Sequence, residues 1–242
     1  MSSSHVSTTI PAEAHDAHDA HNPALLHHFA TEEQQRDSAS LGMWIFLATE
    51  VMFFGGLFCA YLIYRRWYFG DFAAASKSID AALGATNTAV LICSSLTVVL
   101  AIWAAQTSRR ALLLVMLALT MLFGVTFLGV KGIEYKQKFD EHHVPGASFN
   151  FEHEEIPGRP GQYANPQHAQ IFFALYFIMT GLHALHMIIG LGIFAWLFWM
   201  AWKARFTPDY HTPLEIGGLY WHFVDIVWIY LFPLLYLIDR HK

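Results

Sequence analysis

Five long apolar runs divide an otherwise polar sequence, at residues 41–64, 85–105, 111–130, 171–202 and 216–238. Each reaches the roughly 20 residues that a helix needs to cross the hydrocarbon core of a bilayer. The runs are continuous, whereas a membrane barrel alternates apolar and polar positions in pieces of about ten residues. Helices are therefore the expected spanning elements, and the pattern predicts an all-α membrane bundle of five helices. At about 1.5 Å per residue the fourth run outreaches a core of roughly 30 Å, so that helix tilts or projects.

The polar stretches set the connections. Residues 1–40 are rich in Ser, Ala and His and lack the basic stretch and short apolar core of a cleavable signal peptide. The first helix is then expected to serve as the insertion signal. The link at 106–110 is short enough to make the second and third helices antiparallel neighbours. Residues 131–170 hold Glu134, Asp140, Glu141, Glu152, Glu154 and Glu155 with Pro145, Pro157, Pro160 and Pro166, which reads as an irregular acidic loop. Composition adds to the lipid reading: charged residues make up 14% of the chain, against about 25% in soluble domains. The net charge of -5 is spread along the chain and offers no basic surface for nucleic acid. Cys59 and Cys93 lie in different apolar runs, so they are expected as small buried side chains rather than as a disulfide or a metal pair.

Polar residues inside the runs carry the candidate chemistry. Glu50 is the only charged residue of the first run. An intramembrane acid costs a few kcal/mol on insertion scales and usually marks function, and burial favours its neutral form. It is expected either to hydrogen-bond to a neighbouring helix or to exchange protons or meet a lipid head group. His183 and His186 stand three residues apart and share a helix face. With His222 they could make a haem or copper site, but a ligand set also needs supporting carboxylates, so hydrogen bonding within the bundle is the preferred reading. His222 and Asp225 share the same spacing and are expected to pair. Tyr220 and Trp221 suit an aromatic belt, which would anchor the last helix at the head-group level. The tract AHDAHDAH at 14–21 repeats His15, His18 and His21, with His27 and His28 close by. It reads as a solvated tail that could bind a divalent metal weakly.

Three of these stretches resemble one family. LGMWIFLATEVMFFGGLF (41–58) resembles the signature helix of subunit III of cytochrome c and quinol oxidases. FALYFIMTGLHALHMIIG (173–190) is similar to that family's Thr-Gly-x-His-x-x-His helix, and YWHFVDIVW (220–228) to its last-helix motif. GIEY (132–135) also looks like a family pattern. The resemblance runs from about Leu41 to the end of the chain.

The resemblance implies a helical bundle beside catalytic subunit I, in contact with subunit II and other respiratory subunits. It implies no catalytic residue, haem or metal in this chain; haem and copper belong to the partners. It also implies bound phospholipid and support of proton uptake and sustained turnover in aerobic electron transport. Glu50 matches the family's carbodiimide-reactive acid. Lys203, Arg205 and His211 are similar to residues that contact lipid phosphate, and Glu215 stands where the family has an acid. The mitochondrial form has seven helices. This chain starts at the third, so one wall of the lipid cleft would have to come from another subunit.

The family's placement puts the chain in a bacterial plasma membrane with its N-terminus in the cytoplasm and its C-terminus outside. Arg36, Arg109, Arg110, Lys203 and Arg205 then lie inside, although the nine other basic residues, counted alone, favour the reverse. Competing readings are an accessory subunit of a quinol oxidase or nitric oxide reductase, a two-haem cytochrome, and a small transporter. The last would normally carry internal repeats and helices broken at the midplane, and neither is visible.

Overall fold

The structure, a computed structural model, describes residues 31–146, 149–151, 154–207 and 210–238. The histidines of the 14–28 tract lie outside them. The described residues form α1 (Glu32–Trp67), α2 (Phe69–Lys77), α3 (Ala81–Gln106), α4 (Arg110–Asp140), α5 (Pro166–Trp202) and α6 (Thr212–Tyr236). All but α2 are long and apolar enough to cross a membrane. An isolated bridge between Glu155 and Tyr163 is the only β pairing among the described residues.

Helices α3, α4, α5 and α6 form a ring in which each packs on the next and α6 closes back on α3. Helix α1 lies outside the ring against α5 and α6, and α2 lies against α5, α1 and α6. The end of the bundle where α1 begins is called the near end here, and the end carrying α2 the far end.

Local signals set the helix boundaries. Thr31, Asp80 and Asn165 accept backbone N–H bonds at the starts of α1, α3 and α5, and Pro166 occupies the first turn of α5. Helices α3, α4 and α5 end alike. Ser108, His142 and Ala204 turn left-handed. The next residue in each case, Arg109, His143 and Arg205, donates its N–H back to Ala104, Lys138 and Met200. This is a Schellman closure made without glycine. At the far end of α6, Tyr61 and Ser76 donate their hydroxyls to the carbonyls of Leu234 (2.5 Å) and Leu235 (2.7 Å), which joins α1 and α2 to the ring.

Several expectations change. Helix α4 continues ten residues past Val130, so Lys131, Glu134 and Lys138 are buried helix residues rather than loop residues. Helix α1 begins at Glu32, inside the stretch that reads as a polar tail. Cys59 and Cys93 are free but exposed on α1 and α3; lipid is as apolar as a protein interior, so a thiol gains nothing by turning inward. Trp221 is fully buried and its indole donates to Ser94 Oγ at 3.0 Å. It fits because Gly124 and Gly190 leave room: a Cβ at either would lie within 3.0 Å of the indole. With a hydrogen-bond partner inside the ring, the indole has no need of the head-group region.

Candidate functional site

Glu50 lies on the side of α1 that meets α5. Its Oε2 stands 3.2 Å from Nε2 of His186, with the two side chains 20% and 12% exposed. The approach is off the line of a good hydrogen bond, so Oε2 keeps unused capacity. The imidazole is oriented by its other nitrogen, which is 2.8 Å from the carbonyl of Leu182. A carbonyl only accepts, so Nδ1 carries a hydrogen and a neutral ring turns its Nε2 lone pair towards Glu50. Phe54 packs edge-on against His186 (5.4 Å). Tyr220 stacks on Phe46 (6.0 Å) and donates its hydroxyl to the carbonyl of His186 (2.9 Å).

Tyr220 also ends a groove of about 630 Å³ that opens towards the near end between α1 and the α5–α6 junction. Glu33, Arg36, Tyr210 and Thr212 line its polar part, and Met43, Ile193, Trp196 and Ile216 its apolar part. A cation, an anion and hydroxyls at one end with an apolar channel at the other fit an amphiphile.

The other expected site residues are dispersed. His183 points into the ring, 1% exposed, against Phe127 and Trp228, and neither of its nitrogens is hydrogen-bonded. His222 shares a 2.6 Å hydrogen bond with Ser95 of α3, so it does not pair with Asp225 as the spacing suggested. Asp225 is 3% exposed and neither oxygen makes a hydrogen bond, although Ser95 lies beside it. Ring packing against α3 gives His222 a partner and leaves both Asp225 oxygens without a hydrogen bond. His183, His186 and His222 thus face Trp228, Glu50 and Ser95 and do not converge.

Lys203 and Arg205 are exposed at the near end, just past α5. His211 stands between the groove residues Tyr210 and Thr212 and faces Glu215 at 3.1 Å. No hydrogen bond or ion pair joins the three among the described residues. Arg110, not singled out by the sequence, donates to the carbonyl of Trp202 there.

Sequence reasoning also missed a polar cluster in the far half of the ring. Lys131 and Glu134 (3% and 1% exposed) pair at 3.1 Å, and both bond to the hydroxyls of Tyr176 and Tyr236. The available signal was the three-residue spacing of Lys131 and Glu134 followed by Lys138 seven residues on, a repeat that puts all three on one face of a helix continuing past the apolar run.

Comparisons with known proteins agree with this architecture. Residues 166–239, which contain α5 and α6, match the family described as cytochrome c oxidase subunit III. A probable cytochrome c oxidase subunit 3 from Nocardia farcinica is 32% identical over 82% of this chain and 87% of its own length. A cytochrome c oxidase subunit 3 from Thermostichus vulcanus is 28% identical over 84% of this chain and 89% of its own. A cytochrome bo(3) ubiquinol oxidase subunit 3 from Pseudomonas putida is 30% identical over 82% and 84%. With the ring, the outlying α1 and the matched helices in place, this chain belongs to the subunit III family of haem–copper oxidases.

Proposed function

We propose that this chain is the non-redox subunit III of a bacterial cytochrome c oxidase, seated beside catalytic subunit I with subunit II nearby. In this reading it binds phospholipid and sustains proton uptake and turnover. The haem and copper belong to the partner subunits. The observation that carries the reading is the amphiphilic groove with the Glu50–His186 pair beyond its apolar end. Arg36 would meet a phosphate and Glu33 a head-group amine, while Met43, Ile193, Trp196 and Ile216 would line an acyl chain. His211 adjoins the rim, and Lys203 and Arg205 belong to the same end of the bundle, where a cation near an anionic surface is worth about 1 kcal/mol.

The near end is the cytoplasmic side in this reading, which puts the N-terminus in the cytoplasm and the C-terminus outside the plasma membrane. The basic-residue count opposes this; Lys131 and Lys138 are buried in α4 and do not act as loop charges, which narrows the excess from nine against five to seven against five. The cytochrome c donor is the first choice. A quinol donor is the second, because relatives at similar identity are described as quinol oxidase subunits.

The test compares the purified complex with and without this subunit on an oxygen electrode. The expected result is a similar initial rate and a faster decay over successive turnovers without it. Native mass spectrometry of an Arg36→Gln variant should find less retained phospholipid. An unchanged lipid complement together with an unchanged decay would remove the proposal.

A further inference from the structure

The Lys131–Glu134 cluster is closed on itself. The ammonium of Lys131 donates to Glu134 Oε2 (3.1 Å), Tyr176 OH (3.1 Å) and Tyr236 OH (2.8 Å), which uses its three hydrogens. Both hydroxyls donate in turn to Glu134 Oε1, each at 2.6 Å. Every polar hydrogen of the four side chains is spent inside the group. Around it the rings of Tyr135, Tyr176, Trp228 and Tyr236 face the ammonium, with centroids 5.1–5.5 Å away.

The cluster also spans a diagonal. Helices α4 and α6 are not neighbours in the ring, and none of their Cα atoms come within 8 Å of each other. Lys131 and Glu134 bridge that gap to Tyr236 and reach Tyr176 on α5 as well. A buried ion pair adds little stability over well-packed apolar residues, so the bridge needs another explanation. Between apolar helices in lipid no hydrophobic force selects one register. A slip of α6 by one turn, about 5.4 Å, would carry the Tyr236 hydroxyl away from a buried ammonium and carboxylate. Removing one partner of a buried pair is strongly unfavourable.

We propose that the Lys131–Glu134 pair is a diagonal strut that fixes the depth of α5 and α6 against α4. Its influence extends beyond the ring. The α6 turn that carries Tyr236 also presents the Leu234 and Leu235 carbonyls to Tyr61 and Ser76. Tyr61 lies eleven residues beyond Glu50, close to three turns and so on the same side of α1. The strut therefore also sets the height of α1, and with it the meeting of Glu50 and His186.

The test uses the intact oxidase complex with four variants: Lys131→Met, Glu134→Gln, the two combined, and Tyr236→Phe. The readouts are the half-life of the complex in mild detergent and amide hydrogen exchange of the segment 229–238. Each charge-removing single variant strands its partner and should shorten the half-life about tenfold or more. The neutral double variant should return to within about threefold of the parent, because no uncompensated charge remains. Its 229–238 amides should nevertheless exchange faster, since the far end of α6 is no longer tied to α4. Tyr236→Phe should fall between parent and single variants. Losses in the double variant equal to the product of the two singles would overturn the coupling. Parent-like exchange in a stable double variant would overturn the strut.

Discussion

Glu134 and Glu50 are both carboxyl groups on long apolar helices, yet their surroundings differ in kind. Glu134 sits in the ring interior, takes three hydrogen bonds and faces an ammonium. Glu50 sits at the seam between α1 and α5, meets one imidazole off-line and keeps an oxygen without a hydrogen bond. The first arrangement has no spare capacity and suits a joint. The second is short of partners and stands beyond the apolar end of a groove. An intramembrane acid is thus better judged by the completeness of its hydrogen bonding than by its depth. The backbones around the two acids repeat the contrast, since the ring is tightly filled and α1 is largely bare.

The largest expected effect outside the strut lies at Gly84 of α3. A Cβ there would stand 2.9 Å from ring atoms of both Phe232 and Tyr236, and Tyr236 is held by its hydroxyl. Gly84→Ala should cost about 1–3 kcal/mol by overpacking, read as a lower melting temperature of the purified complex. Gly56 of α1 has nothing within 4 Å of its Cβ position. Gly56→Ala should leave the isolated chain unchanged or stabilise it by up to about 1 kcal/mol through helix propensity. A selective loss in the assembled oxidase would instead mark a partner helix lying against that side of α1.

A middle-sized effect is expected at the seam. Glu50→Ala takes away the carboxyl that faces Nε2 of His186 and should cost about 1 kcal/mol of complex stability. In Glu50→Gln the amide N–H can donate to the same nitrogen, so assembly and haem content should stay near normal. Oxygen reduction should persist in both variants while endurance falls. Complete loss of the initial rate in a fully assembled Glu50→Gln complex would make Glu50 catalytic and end the supporting-subunit reading.

The smallest effect concerns the far-end connection. His143 stacks on Phe173 (5.0 Å) and packs edge-on against Phe151 (5.3 Å). Burial pushes its pKa down, and Lys138 adds to the shift. The folded ring therefore resists a proton that the unfolded chain takes up below the ordinary histidine value of about 6.5. Stability contributed here is present above that pH and is lost as pH falls through it. Relative to the intrinsic exchange rate at each pH, protection of the connection should fall below about pH 6.5 in the parent and stay unchanged in His143→Phe.

Much of the fold was legible because lipid imposes a local rule. Each span must be apolar over its own length, so the five runs, the tight 106–110 turn and the anomalous Glu50 could be read one window at a time. The end of α4 could not. Lys131 and Glu134 look like loop residues to any measure of hydropathy, and what allows their burial is Tyr176 and Tyr236 on helices far along the chain. The same limit hid the partner of His222. Spacing on α6 favoured Asp225, and the packing of α3 supplied Ser95.

The sequence by itself determined that the chain is a membrane bundle of five spanning helices, with subunit III motifs and one acid in its first span. Only the tertiary structure decided which polar groups meet: Glu50 with His186, Lys131 with Glu134 and two tyrosines, His222 with Ser95. The physical reason is one of range. Insertion into lipid is settled helix by helix, from composition over about 20 residues. The satisfaction of a buried polar group depends on which helix face arrives beside it, and that is fixed only when the ring closes.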